Sequence, residues 1–311
     1  MILKGSNSQL KPLFSQYKAE LILLSVTIIW GGSFPLIKIT LNESSPFFFN
    51  SVRFALAFLL FCLIYFRKID LLNFKKWKPG LILGIFMSTG FAFQTLGMKY
   101  TSASKSAFIT GTSLVFIPFI QYLILGKKPR AENIAGALLV MIGLYILSEA
   151  YFISLNPGDL LTLICALCFA VHIVLLDKYS RDFGLYYLLF GQYLAGFVLS
   201  ILFMLMFDIF IFKDFFFNLN AVFISSILYT SILSILLSII LMTKYQKQTT
   251  PLRAGIIYNM ESIFAVFFSY IILKEVLNLS QVTGALIMAA GLLVSEFYGL
   301  IKFKITGESK I

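Results

Sequence analysis

The stretch MESIFAVFFSYIILKE, residues 260–275, sets one carboxylate, Glu261, at the head of an apolar run. A carboxylate there can accept a proton, pair with a substrate cation, or hydrogen-bond a helix end. Placing an acid at the centre of a membrane helix costs about 2.5 to 3.5 kcal/mol, so such a group by default faces other protein and marks a pathway. Tyr258 precedes Glu261 by one helical turn, and Ala265 and Phe268 follow at helical spacing, so a phenol and a carboxylate share a face. Tyr258 is then either a substrate contact or a buried phenol in need of a hydrogen-bond partner.

Further polar residues interrupt other apolar runs. Trp30, Ser33, Phe34 and Lys38 trace one helical face, and Arg53 follows in the next run. Both cations could draw a carboxylate-bearing substrate; the alternative, favoured for Arg53, is that they snorkel to headgroups. Gln94, between Gly90 and Gly97, can line a cavity or bond one helix to another. His172, the single histidine, is a candidate proton relay or a packed, satisfied ring. The CALC at 165–168 has redox or metal spacing, but it falls mid-helix and is read as packing. Scattered acids and one histidine give no catalytic constellation, so no enzyme activity, cofactor or metal is expected.

Positioning these groups requires membrane helices. Of 311 residues, 59% are hydrophobic and 13% charged, and the mean hydropathy is +0.91. Such a composition belongs to an integral membrane protein. Apolar runs recur at roughly 21–41, 47–66, 80–98, 106–125, 132–148, 158–176, 184–207, 220–243, 252–273 and 281–301, each near the ~20 residues that span a bilayer. Ten spans are expected, with the edges of the seventh and eighth least defined. With a cytoplasmic N-terminus, nineteen basic residues fall on the inner side and four on the outer, which favours both termini in the cytoplasm. The net charge of +11 is therefore a topology signal, and no nucleic-acid partner is expected.

The chain also repeats itself. Residues 99–147 align without a gap on 247–295 and match at 13 of 49 positions, among them Lys99 with Lys247, Gly136 with Gly284 and Gly143 with Gly291. An offset of 148 residues is five helices, an odd number, so the second copy crosses in the opposite direction. Inverted repeats of this kind build transporters whose substrate site lies near the midplane between the halves. In this register Glu261 is the equivalent of Ser113, and Tyr258 of Thr110; laying Trp30 on Phe169 pairs His172 with Ser33. Pro46, Pro79, Pro129, Pro157 and Pro251 fall at or just before expected helix starts, and Pro35 and Pro118 inside helices, where kinks are expected.

The segments WGGSFPLIK (30–38), SVRFALAF (51–58), LGMKYTSASKSAFITGTSLVFIPFIQYLILGKK (96–128) and YNMESIFAVFFSYIILKEVLNLSQVTGALIMAAGLLVSE (258–296) resemble the EamA family of the drug/metabolite transporter superfamily. Ser262 stands where members commonly have proline, and Lys127 where the first half commonly has a loop glutamate that Glu275 keeps in the second. The resemblance implies a ten-helix carrier of small organic metabolites, often an exporter, with a cavity lined by helices one, three, four, six, eight and nine. Some relatives export amino acids.

The expected architecture is an all-α integral membrane protein with ten helices in two inverted five-helix repeats. Its boundaries are a cytoplasmic tail (1–19), a first repeat (20–148), a second repeat (157–301) and a cytoplasmic tail (302–311). The expected function is secondary transport across a bacterial inner membrane, by alternating access, exporting a small amphipathic metabolite such as an amino acid. Efflux of hydrophobic drugs is the alternative. No phosphate-binding G-x-x-x-x-G-K-[ST] motif occurs, so a proton or substrate gradient would supply the energy. The expected partners are a small-molecule substrate, the lipid bilayer and a candidate coupling proton, with the protein a monomer or a homodimer. Candidate cavity residues are Trp30, Lys38, Gln94, Thr110, Ser113, His172, Tyr258 and Glu261, the last also the candidate for proton or cation coupling.

Overall fold

The computed structural model describes residues 17–147, 156–274 and 278–306. Most of the expected N-terminal tail, half of the C-terminal one, and Glu275 lie outside the described residues. Ten helices follow in order: α1 Lys18–Thr40, α2 Pro46–Tyr65, α3 Phe74–Tyr100, α4 Ala103–Leu125, α5 Ala131–Leu147, α6 Pro157–Asp182, α7 Leu185–Ile211, α8 Ala221–Gln248, α9 Pro251–Leu273 and α10 Leu279–Thr306. No strand occurs among the described residues; Ser44 and Phe217 form an isolated bridge.

Eight of the helices, all but α5 and α10, are long and apolar enough to cross a membrane; those two contribute shorter apolar stretches, Asn133–Ile146 and Val282–Val294. α5, at 17 residues, reaches about 25 Å, short of a ~30 Å hydrocarbon core, and α10, though 28 residues long, carries its apolar stretch over Val282–Val294 alone among the described residues. Leu63, Phe119, Leu123 and Leu286 stand exposed, while Asn50, Arg53, Gln94, Gln192, Gln246 and Glu261 are buried. An apolar exterior around a polar interior suits a hydrocarbon solvent, where polar groups must find partners inside the bundle.

Glycines set the closest contacts. A Cβ on Gly143 would lie 2.7 Å from the Gly284 carbonyl oxygen, and one on Gly291 would lie 2.8 Å from that of Gly136. Since Gly136 aligns with Gly284 and Gly143 with Gly291, the pairs exchange partners, as two copies of one helix do about a two-fold axis. Other contacts follow the same rule: α1 packs on α9 as α6 packs on α4, and α3 packs on α7 as α2 packs on α8.

Two helices are interrupted at equivalent points. α4 breaks at Thr112 and α9 at Asn259 and Met260. At each break a side chain bonds the preceding turn: Thr112 Oγ1 donates to the Ile109 carbonyl (2.6 Å) and Asn259 Nδ2 to the Gly255 carbonyl (3.0 Å). Pro118 follows the break in α4, and α9 has Val266 at the matching position, so a proline is not what the two breaks share. Pro46, Pro157 and Pro251 open their helices, whereas Pro79 lies inside α3, which begins earlier than its apolar run, at Phe74, whose ring packs edge to face on Trp77. α7 ends in wider π turns at Met204–Ile211, where its edge is ill-defined, and α8 carries π turns in its middle at Tyr229–Leu237.

Candidate functional site: a cavity between two related halves

α4 and α9 cross where they break. A Cβ on Gly111 would lie 2.5 Å from Asn259 Oδ1, a Cβ on Gly255 would meet Ile117, and Ser262 Oγ donates to the Ala107 carbonyl at 3.1 Å. The two helices therefore run antiparallel through this point. Ser262, in the place where proline is common, ties them together.

Around the crossing, α1, α3, α4, α6, α8 and α9 line a cavity of about 50 Å³. Seventeen residues line it, and sixteen fall into equivalent pairs. At an offset of 139 residues stand Trp30 with Phe169, Ser33 with His172 and Phe34 with Ile173; at 148 stand Phe91 with Ile239, Gln94 with Met242, Thr110 with Tyr258, Gly111 with Asn259 and Ser113 with Glu261. Met87 is the one left over. Position is thus shared between the halves, while chemistry is not: the first half supplies neutral donors and the second an imidazole, a phenol, an amide and a carboxylate.

Each polar group is anchored from behind. Trp30 Nε1 donates to the Ser234 carbonyl in the π-wound part of α8 (3.0 Å), and its ring lies 5.5 Å from that of Tyr258. Tyr258 donates its hydroxyl to Gln246 Oε1 (3.1 Å), whose amide donates to the Ile173 carbonyl (2.7 Å). His172 Nε2 lies 2.9 Å from Gln192 Oε1; an amide oxygen only accepts, so this nitrogen carries the hydrogen. Gln94 Nε2 donates to Thr110 Oγ1 at 3.1 Å. Glu261, 8% exposed, begins the second piece of α9, and its carboxylate is in no ion pair among the described residues. Beside it Asn259 Oδ1 is buried with no hydrogen-bond partner. Two acceptors, one of them a carboxylate, therefore line a cavity together with the rings of Trp30, Phe34, Phe91, Phe169 and Tyr258, a combination that suits an ammonium group.

Seven of the eight candidate cavity residues meet at this cavity; Lys38 does not. Its ammonium donates to the carbonyls of Met98 (2.6 Å) and Thr101 (2.8 Å), where a cation satisfies the C-terminal end of α3. Arg53 does not snorkel: it is 0% exposed, because Phe49 and Phe91 lie on its guanidinium at 5.1 and 5.4 Å. Cys165 and Cys168 are free thiols, and no metal-binding cluster occurs among the described residues.

Four residues that sequence reasoning missed form two ion pairs between helices of the two halves. Lys105 Nζ pairs with Asp159 Oδ2 at 2.6 Å, between α4 and α6, and Thr101 donates a further bond to Asp159 Oδ1 (3.1 Å). Arg253 Nη2 pairs with Glu20 Oε1 at 3.5 Å, between α9 and α1. All four are the third residue of their helix. Lys105 becomes Arg253 at the 148 offset, and Glu20 becomes Asp159 at 139, so each ion pair is the equivalent of the other. Cations in a first turn oppose the helix dipole, so pairing across the interface is what accounts for them. Lys105 lies seven residues before the break in α4 and Arg253 six before that in α9, about 9–10 Å along antiparallel helices, which puts the pairs on opposite sides of the cavity.

The EamA-like transporter family matches residues 17–149 and, a second time, 156–297. The chain belongs to that family. It is 36% identical over 278 residues, 89% of this chain and 85% of the relative, to an uncharacterized transporter of Archaeoglobus fulgidus. Its identity to the uncharacterized transporter YoaV of Bacillus subtilis is 21%, covering 90% of this chain and 97% of YoaV. A solved crystal structure superposes with a TM-score of 0.74 at 15% identity, over 90% of this chain and 98% of the other, a likeness of fold alone. Family membership makes this EamA-like chain a multi-pass membrane transporter, and the aromatic, singly acidic cavity is its candidate substrate site.

Proposed function

We propose that this protein is a secondary transporter built as ten spans in two inverted repeats, 20–148 and 157–301. It exports a small amphipathic metabolite such as an amino acid from the cytoplasm, across a bacterial inner membrane, by alternating access. The carrying observation is the pair of equivalent ion pairs, Lys105 with Asp159 and Arg253 with Glu20, on opposite sides of one cavity. Two related gates around a midplane site are what a rocking inverted-repeat carrier requires, since either gate can open while the other holds. α5 and α10 complete the ten by packing glycine to glycine, with the bilayer thinned around the short α5.

Substrate chemistry follows from the lining. Glu261 and Asn259 Oδ1 receive an ammonium, Trp30, Phe169 and Tyr258 receive an apolar body, and Glu261 is the group through which a proton gradient couples. The test is a solute screen with purified protein in proteoliposomes, with and without an imposed pH gradient. Counterflow of an amino acid supports the reading. If only bulky lipophilic cations move, drug efflux is the better description; if nothing moves while the protein is folded, transport by this chain alone is refuted.

A further inference from the structure

Arg53 is the most costly side chain in the bundle. It is wholly buried, and of its five N–H donors the one bond is Nη1 to Asn50 Oδ1 at 3.1 Å; Nε and Nη2 have no partner among the described residues. Burying a guanidinium without a counter-charge is strongly unfavourable, and more so inside a membrane protein. No carboxylate pairs with it, and cation–aromatic contact with Phe49 and Phe91 compensates only in part.

Its place in the repeat explains what is missing. At the 139 offset Arg53 is the equivalent of Gln192, and Gln192 reaches forward to His172 on the cavity wall. In the first half the residue at the His172 position is Ser33, whose hydroxyl turns back to the Trp30 carbonyl at 2.6 Å. Arg53 therefore stands one layer behind the wall, aimed like Gln192, but with no side chain there to meet it. Its neighbour on the cavity side is Phe91, a lining residue whose ring contacts both the guanidinium (5.4 Å) and the ring of Phe169 (5.1 Å). Asn50 holds the fork in place: its oxygen accepts from Arg53 and from Thr95 (3.3 Å), and its amide donates to the Phe91 carbonyl (3.4 Å).

We propose that Arg53 is an anion-accepting subsite of the cavity, opened by rotation of Phe91, that takes the carboxylate of a substrate whose ammonium is held at Glu261. This rests on the amino-acid reading above and sharpens it, because it makes the substrate a zwitterion with its two charges on opposite walls. Phe91 turning aside would expose Nε and Nη2 together, the pair of donors that a carboxylate accepts in a bidentate fork.

The experiment compares three probes in proteoliposomes: phenylalanine, phenethylamine, which lacks the carboxylate, and phenylalanine methyl ester, which masks it. The native protein should show a KM for phenylalanine at least about tenfold below that for the other two, since a charge-assisted pair at a desolvated site is worth that factor or more. Arg53→Gln should erase the preference by raising the phenylalanine KM while leaving phenethylamine unchanged. A purely structural arginine would move all three together, and that result, or equal KM values in the native protein, overturns the proposal while leaving transport of amines intact. If none of the three is carried but other solutes are, the amino-acid reading falls, and this subsite with it. Should Arg53→Gln fail to elute as a single folded species, Arg53→Lys is read in the same way: a reduced preference supports the subsite, and an unreduced one overturns it.

Discussion

Asn259 Oδ1 lies 2.5 Å from the point where a β-carbon on Gly111 would sit, and the two residues are each other's equivalents in the two halves of the chain. In the proposed inverted repeat, equivalent residues touch only beside the two-fold axis that relates the halves, so that axis would pass between these two. Both helix breaks, and with them Ser113 and Glu261, are thereby set about one point at the cavity wall.

Crowding at this axis gives a test. In Gly111→Val the added carbons have no space against Asn259 Oδ1 and Leu144 Cδ2, and overpacking of this kind costs about 1–3 kcal/mol. The variant should melt earlier in detergent, by fluorescence-detected gel filtration, and Asn259→Gly should restore part of the loss in the double variant. No recovery in the double variant would mean that the two residues are not in contact.

The buried pair of His172 and Gln192 makes a second. Gln192→Leu leaves the imidazole N–H buried without its acceptor, which costs about 1–3 kcal/mol, whereas exchanging both residues for apolar ones removes the orphan. His172→Phe with Gln192→Leu should therefore be more stable than Gln192→Leu alone. A proton relay at His172 predicts, in addition, that the stable double variant loses pH-dependent flux; unaltered flux would assign the ring to packing.

The ion pairs should bias the carrier toward opposite states. Breaking a buried pair by removing one partner costs about 3–5 kcal/mol, enough to shift an equilibrium between two states by more than a hundredfold. With a single cysteine at Thr110, Asp159→Asn should speed labelling by an impermeant thiol reagent from one side of the membrane, and Glu20→Gln from the other. Acceleration from the same side in both would refute the two-gate arrangement. Single cysteines in the loops 67–78 and 208–219 identify the sides: in intact cells the first should resist the reagent and the second react, and the reverse would invert the proposed orientation.

Much of this was legible in the sequence where composition and spacing are the physics. Apolar runs locate α1 to α10, the 148 offset locates the glycine cross-pairing, and polar interruptions of the apolar runs pick out the seven candidate residues that meet at the cavity. Arg53 and Lys38 were not legible, because their fate depends on what packs above them: two phenylalanine rings in one case, the bare carbonyls of Met98 and Thr101 in the other. The gates were present in the sequence as Lys105 aligned with Arg253. Recognising them needed a second register, 139, for the helices before the break, and then the contact between two helices far apart in the chain. The helix breaks carried a misleading signal in Pro118, since α9 breaks at the same place without it.

Glu261 remains the group on which the functional reading turns. It begins the second piece of α9, where the helix dipole favours a negative charge, and it faces a cavity whose other ionisable lining residues are His172 and Tyr258. Glu261→Gln keeps the size and the hydrogen-bonding capacity but cannot titrate or bear charge. If the carboxylate couples transport, the variant should insert and elute as native protein yet lose either the pH dependence of flux or the transport of amine-bearing solutes, by at least about tenfold for a lost charge pair at a desolvated site. Normal, still pH-dependent flux would reduce Glu261 to a structural group. Glu261→Ala separates the cases further, since a carboxylate needed for folding predicts loss of protein from the membrane, whereas a transport carboxylate predicts stable protein that no longer carries its load.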